Sequence, residues 1–173
     1  MTFRDFPRFD ETTAPDAARP ALARTRQAFH VLPEPLARYA SSPPMLETAL
    51  AGLAAFEQTS LLPLEREVLA MTMGHRNGCR FCLNLHRRSL RALQAPAELV
   101  SALEAAQALP EPRLEALRLF VHALLDHHGD VPRQDWHRFR EAGYTHAQAL
   151  ELVMGVGVYT LTTLANRLTE TSE

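Results

Sequence analysis

A chain of 173 residues is the size of one domain, large enough to bury a core without a metal or disulfide staple. Hydrophobic residues make up 46% and charged residues 22%, which excludes a disordered chain. Lys plus Arg is 18 and Asp plus Glu is 20, a net charge of -2 with no electrostatic footprint for nucleic acid.

Residues 1–20 read as an irregular arm interrupted by Pro7, Pro15 and Pro20. Phe3, Phe6 and Phe9 recur along it, suited to packing on the body or on a partner subunit. The opening MTFRDFPRFD has neither a long apolar run nor a small-residue cleavage site, so no secretory signal is expected and the default location is cytoplasmic. Ala21–Phe29 suits a short helix, and Pro33 and Pro35 break the chain before Leu36–Tyr39. Ser41-Ser42-Pro43-Pro44 is a turn whose prolines suit a helix start. Met45–Thr59 follows as a helix with Leu46, Leu50, Leu53 and Phe56 on one side. Leu64–Met73 is the next helix, and Gly74 to Gly78 reads as a stop, with Asn77-Gly78 accommodating positive φ.

Helix resumes at Cys79–Leu93, then at Ala97–Ala108 between Pro96 and Pro110, and at Arg113–Asp126. Pro132–Ala142 follows, with Gly143 as a C-cap. Thr145 is placed to cap His146–Leu168. Within that last helix the run Leu150–Leu164 is too short and polar to span a bilayer, so it reads as a buried helix. Val153–Val158 is β-branched enough for a strand to be the alternative there. The sum is an all-α single domain, residues 1–173, of about seven or eight helices with its chemistry in 45–93.

The only two cysteines stand as Cys79-Arg80-Phe81-Cys82, followed by His86. On a helix, Cys79 and Cys82 are i and i+3, and Cys82 and His86 are i and i+4, so all three share a face. Free N–H groups at a helix start favour thiolate over thiol, and a histidine one turn on can take the proton. The second thiol can then resolve a sulfenic acid or mixed disulfide into an intramolecular disulfide. Two other readings compete. The cysteines could be core filler, or zinc ligands with His86 and His75, but one short segment closes a tetrahedron awkwardly. Neither metal nor cofactor is expected. A thioredoxin-like setting would need a strand before the motif, where a helix is expected.

This segment closely resembles the AhpD-like branch of the carboxymuconolactone decarboxylase family. The family mark is a glutamate, then C-x-x-C, then histidine, which falls here on Glu67, Cys79, Cys82 and His86. The last helix, with Asn166 near its end, is similar too. The resemblance implies an AhpD-like helical fold and an alkyl hydroperoxide reductase of peroxiredoxin type, an antioxidant enzyme. Cys82 would be the peroxidatic nucleophile and Cys79 the resolving, more exposed thiol. His86 would activate Cys82, and Glu67 would begin a proton relay. A dithiol, typically a lipoyl-type group on a partner protein, would be the reductant, and the subunits would form trimers or hexamers. The best-known members carry a second histidine where this chain has Phe81, which weakens a two-histidine relay and leaves a thiol–disulfide oxidoreductase as the alternative. The family's decarboxylase branch does not need the cysteine pair.

Three further residues could support the site: Phe81 beside Cys82, His75 from the turn, and Asn166 as a buried polar contact. His127 and His128 sit at a helix end, where they complement its dipole. Trp136 reads as the anchor of its helix, and His146 as a surface residue.

Overall fold

The computed structural model describes residues 5–169, and among these there are helices and no strands. A 3-10 turn at Asp16–Ala18 leads into α1, Arg19–Phe29. Then come α2, Glu34–Tyr39; α3, Pro43–Glu57; α4, Pro63–Arg76; and α5, Arg80–Ala92. The chain closes with α6, Ala97–Glu104; α7, Pro112–Asp126; α8, Arg133–Glu141; and α9, His146–Leu168. The all-α expectation holds, including the α9 segment where a strand was the alternative.

Among the described residues nine α-helices stand where seven or eight were expected, because Glu34–Tyr39 closes as a helix of its own with Pro35 in its first turn. Proline also opens α1, α3, α4 and α7, where its missing N–H costs no helical bond. Thr145 caps α9 by accepting from the Gln148 N–H, while Gln148 Oε1 accepts from the Thr145 N–H. Gly143 takes φ 88° after α8.

Three boundaries differ from expectation. The arm is shorter, since α1 begins at Arg19. Phe9 packs on the body, with its N–H bonded to the Ala37 carbonyl; Phe3 lies outside the described residues. α6 stops at Glu104 and not at Ala108, and Ala106 adopts φ 53°. α4 runs on to Arg76 because Gly74 stays helical beneath α5. A Cβ there would lie 2.9 Å from Leu83 Cδ2, so the glycine serves close approach and not chain termination.

The main core gathers Leu69, Met73, Leu90, Leu117, Phe120, Phe139 and Leu152 from α4 to α9. A second core joins Leu22, Leu36, Tyr39 and Leu46 from α1, α2 and α3, with Leu161 and Ala165 of α9 packed against it. Thus α4 and α9 run through the middle of the molecule, and α9 touches both cores. α9 is long and apolar enough to cross a membrane by length and composition, yet its inner face makes the polar contacts described next. Its outer face leaves Leu150, Val153, Leu164 and Leu168 exposed, so the helix is buried on one side only.

Candidate active site

Cys79 is the N-cap of α5 and Cys82 lies in its first turn, so the helix start carries both sulfurs. The turn before it is made by Asn77, which caps α4, and by Gly78 at φ 62°. Cys79 and Cys82 are joined as a disulfide with Cα atoms 5.3 Å apart, a spacing that a disulfide bridges comfortably. Cys79 Sγ accepts from the Cys82 N–H at 3.3 Å, an N-cap bond made with sulfur in place of oxygen.

Both sulfurs are covered. Cys79 is 2% exposed and Cys82 5%, so Cys79 is not the more exposed of the two, contrary to expectation. The reason is α9. Its Arg167 guanidinium donates to the Asn77 carbonyl, which holds the end of α9 over the turn bearing Cys79.

Asn166 of α9 is buried, and its Nδ2 donates to Cys82 Sγ at 3.3 Å and lies 4.0 Å from Cys79 Sγ. Its Oδ1 accepts from the Tyr39 hydroxyl of α2, which also lies 3.0 Å from the Thr162 carbonyl oxygen. One turn along α5 from Cys82, His86 is buried, with Nδ1 2.8 Å from Glu67 Oε2 of α4. Tyr159 of α9 meets the His86 ring edge-on at 5.4 Å. Burial, and after it the Glu67 carboxylate, pushes the Tyr159 hydroxyl far above the usual phenol range, so it stays protonated.

The structure therefore brings Cys79, Cys82, His86, Glu67 and Asn166 together. A carboxylate on Nδ1 fixes the tautomer of a histidine and leaves Nε2 as the free acid or base. Phe81 is half-buried between the cysteines in the first turn of α5. His75 stands apart from them. It belongs to the last turn of α4, and its Nε2 pairs with the Leu103 carbonyl at 2.8 Å, pinning α6 to α4. Two residues of the cluster, Tyr39 and Tyr159, were not foreseen. Tyr159 and Asn166 are i and i+7 on one helix face, a signal available in advance. Tyr39 has none, because its partner is 127 residues away.

No group of three or more metal-ligating side chains occurs among the described residues. The chemistry available is that of two thiols, an imidazole–carboxylate pair and a carboxamide donor.

Residues 45–122 match the carboxymuconolactone decarboxylase family. No functionally curated protein matches the sequence. Among solved structures, a peroxidase-related protein with an alkylhydroperoxidase AhpD core from Ralstonia eutropha JMP134 superposes with a TM-score of 0.80 at 19% identity, covering 94% of this chain and 87% of that one. A peroxidase-related protein from Silicibacter sp. TM1040 gives 0.78 at 20% identity, over 97% and 89%. The debrominase Bmp8, a cysteine-to-alanine variant in complex with 2,3,4-tribromopyrrole, gives 0.76 at 14% identity, over 99% and 91%. The fold is that of the AhpD-like helical proteins, and the match to the carboxymuconolactone decarboxylase family lies within it, over residues 45–122.

Proposed function

We propose that the protein is a cysteine-based hydroperoxide reductase whose Cys79–Cys82 pair cycles between dithiol and disulfide. The observation that carries this reading is the closed pair Cys79–Cys82 with the Glu67–His86 pair one helical turn away. In the reduced enzyme, Cys82 thiolate attacks the terminal oxygen of a hydroperoxide. The S–O bond forms, the O–O bond breaks, and the alkoxide leaves with a proton relayed through His86. Cys79 then attacks the sulfenyl sulfur, forming the disulfide and releasing water. A dithiol restores both thiols, and a lipoyl-type group on a partner protein is the form the family resemblance suggests. A cytoplasmic location and a homo-oligomer, trimer or hexamer, belong to the same reading. The exposed apolar side of α9 is consistent with subunit contact.

The same residues serve the alternative, thiol–disulfide exchange with little peroxidase activity. Both sulfurs are largely covered, and no second histidine flanks Cys82. A peroxide-consumption assay with dithiothreitol or dihydrolipoamide separates the two. Wild type should turn over, and Cys82→Ser and Cys79→Ser should lose sustained turnover. Full turnover by Cys82→Ser would remove Cys82 as the nucleophile. Disulfide-substrate reduction without peroxide consumption would favour the alternative.

A further inference from the structure

We infer that Tyr39 is a positioning residue for Cys82, acting through the Asn166 carboxamide; the inference rests on the thiol-based reading above. A carboxamide has one donating and one accepting end. Here the donating end faces Cys82 Sγ at 3.3 Å, and the accepting end faces the Tyr39 hydroxyl. Turned over, the amide would aim its oxygen at sulfur. Beside a neutral disulfide the two orientations differ little. Beside a thiolate they differ strongly, since only the NH2 end can donate to the charge.

Tyr39 holds the donating orientation. Burial pushes its phenol far above the usual range, so the hydroxyl keeps its proton and presents a donor to Asn166 Oδ1. The Thr162 carbonyl, 3.0 Å from the same hydroxyl, lies inside α9 and has a helical N–H available to it. Both positioning residues fall outside the matched segment 45–122. α2 and α9 thus bring a sulfur environment to the cysteine motif that the motif itself does not encode.

The consequence lies in how the disulfide opens. A reductant thiolate attacks Cys79 Sγ and forms a mixed disulfide, and the S–S electron pair departs on Cys82 as thiolate. Asn166 donates to that thiolate as it forms, and a more acidic leaving thiol leaves faster. The reductant's second thiol, deprotonated, then attacks its own bound sulfur. Cys79 leaves as thiolate and takes up a proton, and the dithiol departs as a cyclic disulfide.

The test is the acidity of Cys82, read in a Cys79→Ser background from the pH dependence of its alkylation by iodoacetamide. It needs neither peroxide nor reductant, so its failure is separate from a failure of turnover. Asn166→Ala and Tyr39→Phe should each raise the apparent Cys82 pKa by about one pH unit, slowing alkylation at low pH up to about tenfold. The double variant should be no worse than Asn166→Ala alone, since one acts through the other. Should Tyr39→Phe fail to fold, 3-fluorotyrosine at position 39 keeps the shape with a stronger donor and should lower the Cys82 pKa. An unchanged Cys82 pKa in folded Tyr39→Phe or in the fluorotyrosine protein, or additive shifts in the double variant, overturns the inference.

Discussion

Each sulfur at the start of α5 has its own hydrogen-bond donor: the Cys82 backbone N–H for Cys79, and the Asn166 amide for Cys82. What distinguishes the two is the histidine. His86 lies one turn from Cys82, with its Nδ1 held by Glu67. His86→Asn should therefore slow peroxide consumption by roughly 10²–10⁴-fold, the usual worth of a positioned acid–base group, while the thiols still form a disulfide with a chemical oxidant. Single-turnover kinetics check this, and a loss under threefold would contradict the role. The line of Cys79, Cys82 and His86 could be read from helical spacing alone, because its members are three and four residues apart. The Tyr39–Asn166 pair could not, since it joins elements 127 residues apart and depends on how the whole bundle closes. The relative cover of the two cysteines was hidden for the same reason, α9 being supplied by the far end of the chain.

Among the elements, α4 is the joint. Its first turn carries Glu65, whose side chain is 2% exposed and accepts from Arg113 of α7 and from the Leu62 N–H. Arg113 also donates to the Ala142 carbonyl and stacks over the Tyr144 ring at 3.9 Å. Removing it takes the only cation from a buried carboxylate, leaving the Leu62 N–H and the Tyr144 hydroxyl as its neutral partners. Arg113→Ala is therefore expected to destabilise the fold by about 3–5 kcal/mol in denaturant unfolding, with Arg113→Met no better, because neither restores the charge. A shift below about 1 kcal/mol would show that Glu65 is content without it. α9 meets both α3 and α4 at Gly155, where a Cβ would lie 2.5 Å from Phe56 Cε2 and 2.9 Å from Leu69 Cδ1. Gly155→Ala should cost about 1–3 kcal/mol by overpacking, although alanine is the better helix former. A stabilised Gly155→Ala in the same unfolding experiment would mean that the contact gives way freely. Most helix starts were legible because proline or Thr145 marks them. The ends were harder. A glycine signals a stop only if it is not needed for close packing, and Gly74 is so needed beneath Leu83.

Across the whole molecule, the two cores are stitched by α9, so the helix that touches both also delivers Asn166 and Tyr159 to the sulfurs. Stability and chemistry are consequently coupled through one element. A pH dependence follows from α7. Burial, and then the Arg118 guanidinium, hold the His122 imidazole below its ordinary range. The unfolded chain binds that proton more readily, so this contribution is intact well above pH 6.5 and stability falls as pH drops through 6.5 toward the lower folded value. Urea midpoints measured from pH 7.5 to pH 5 should fall less in His122→Gln than in wild type, and equal slopes would assign the effect elsewhere. The class of fold and the gathering of Glu67, Cys79, Cys82 and His86 were legible in the sequence, whereas the sulfur environment emerges only when the closing helix and α2 are laid over it. The most direct measurement of the central claim is a single turnover: fully reduced protein mixed with one equivalent of tert-butyl hydroperoxide and examined by mass spectrometry. The account predicts loss of the peroxide with formation of the Cys79–Cys82 disulfide, and a trapped sulfenic acid on Cys82 when Cys79 is serine. Unconsumed peroxide beside two free thiols would contradict it.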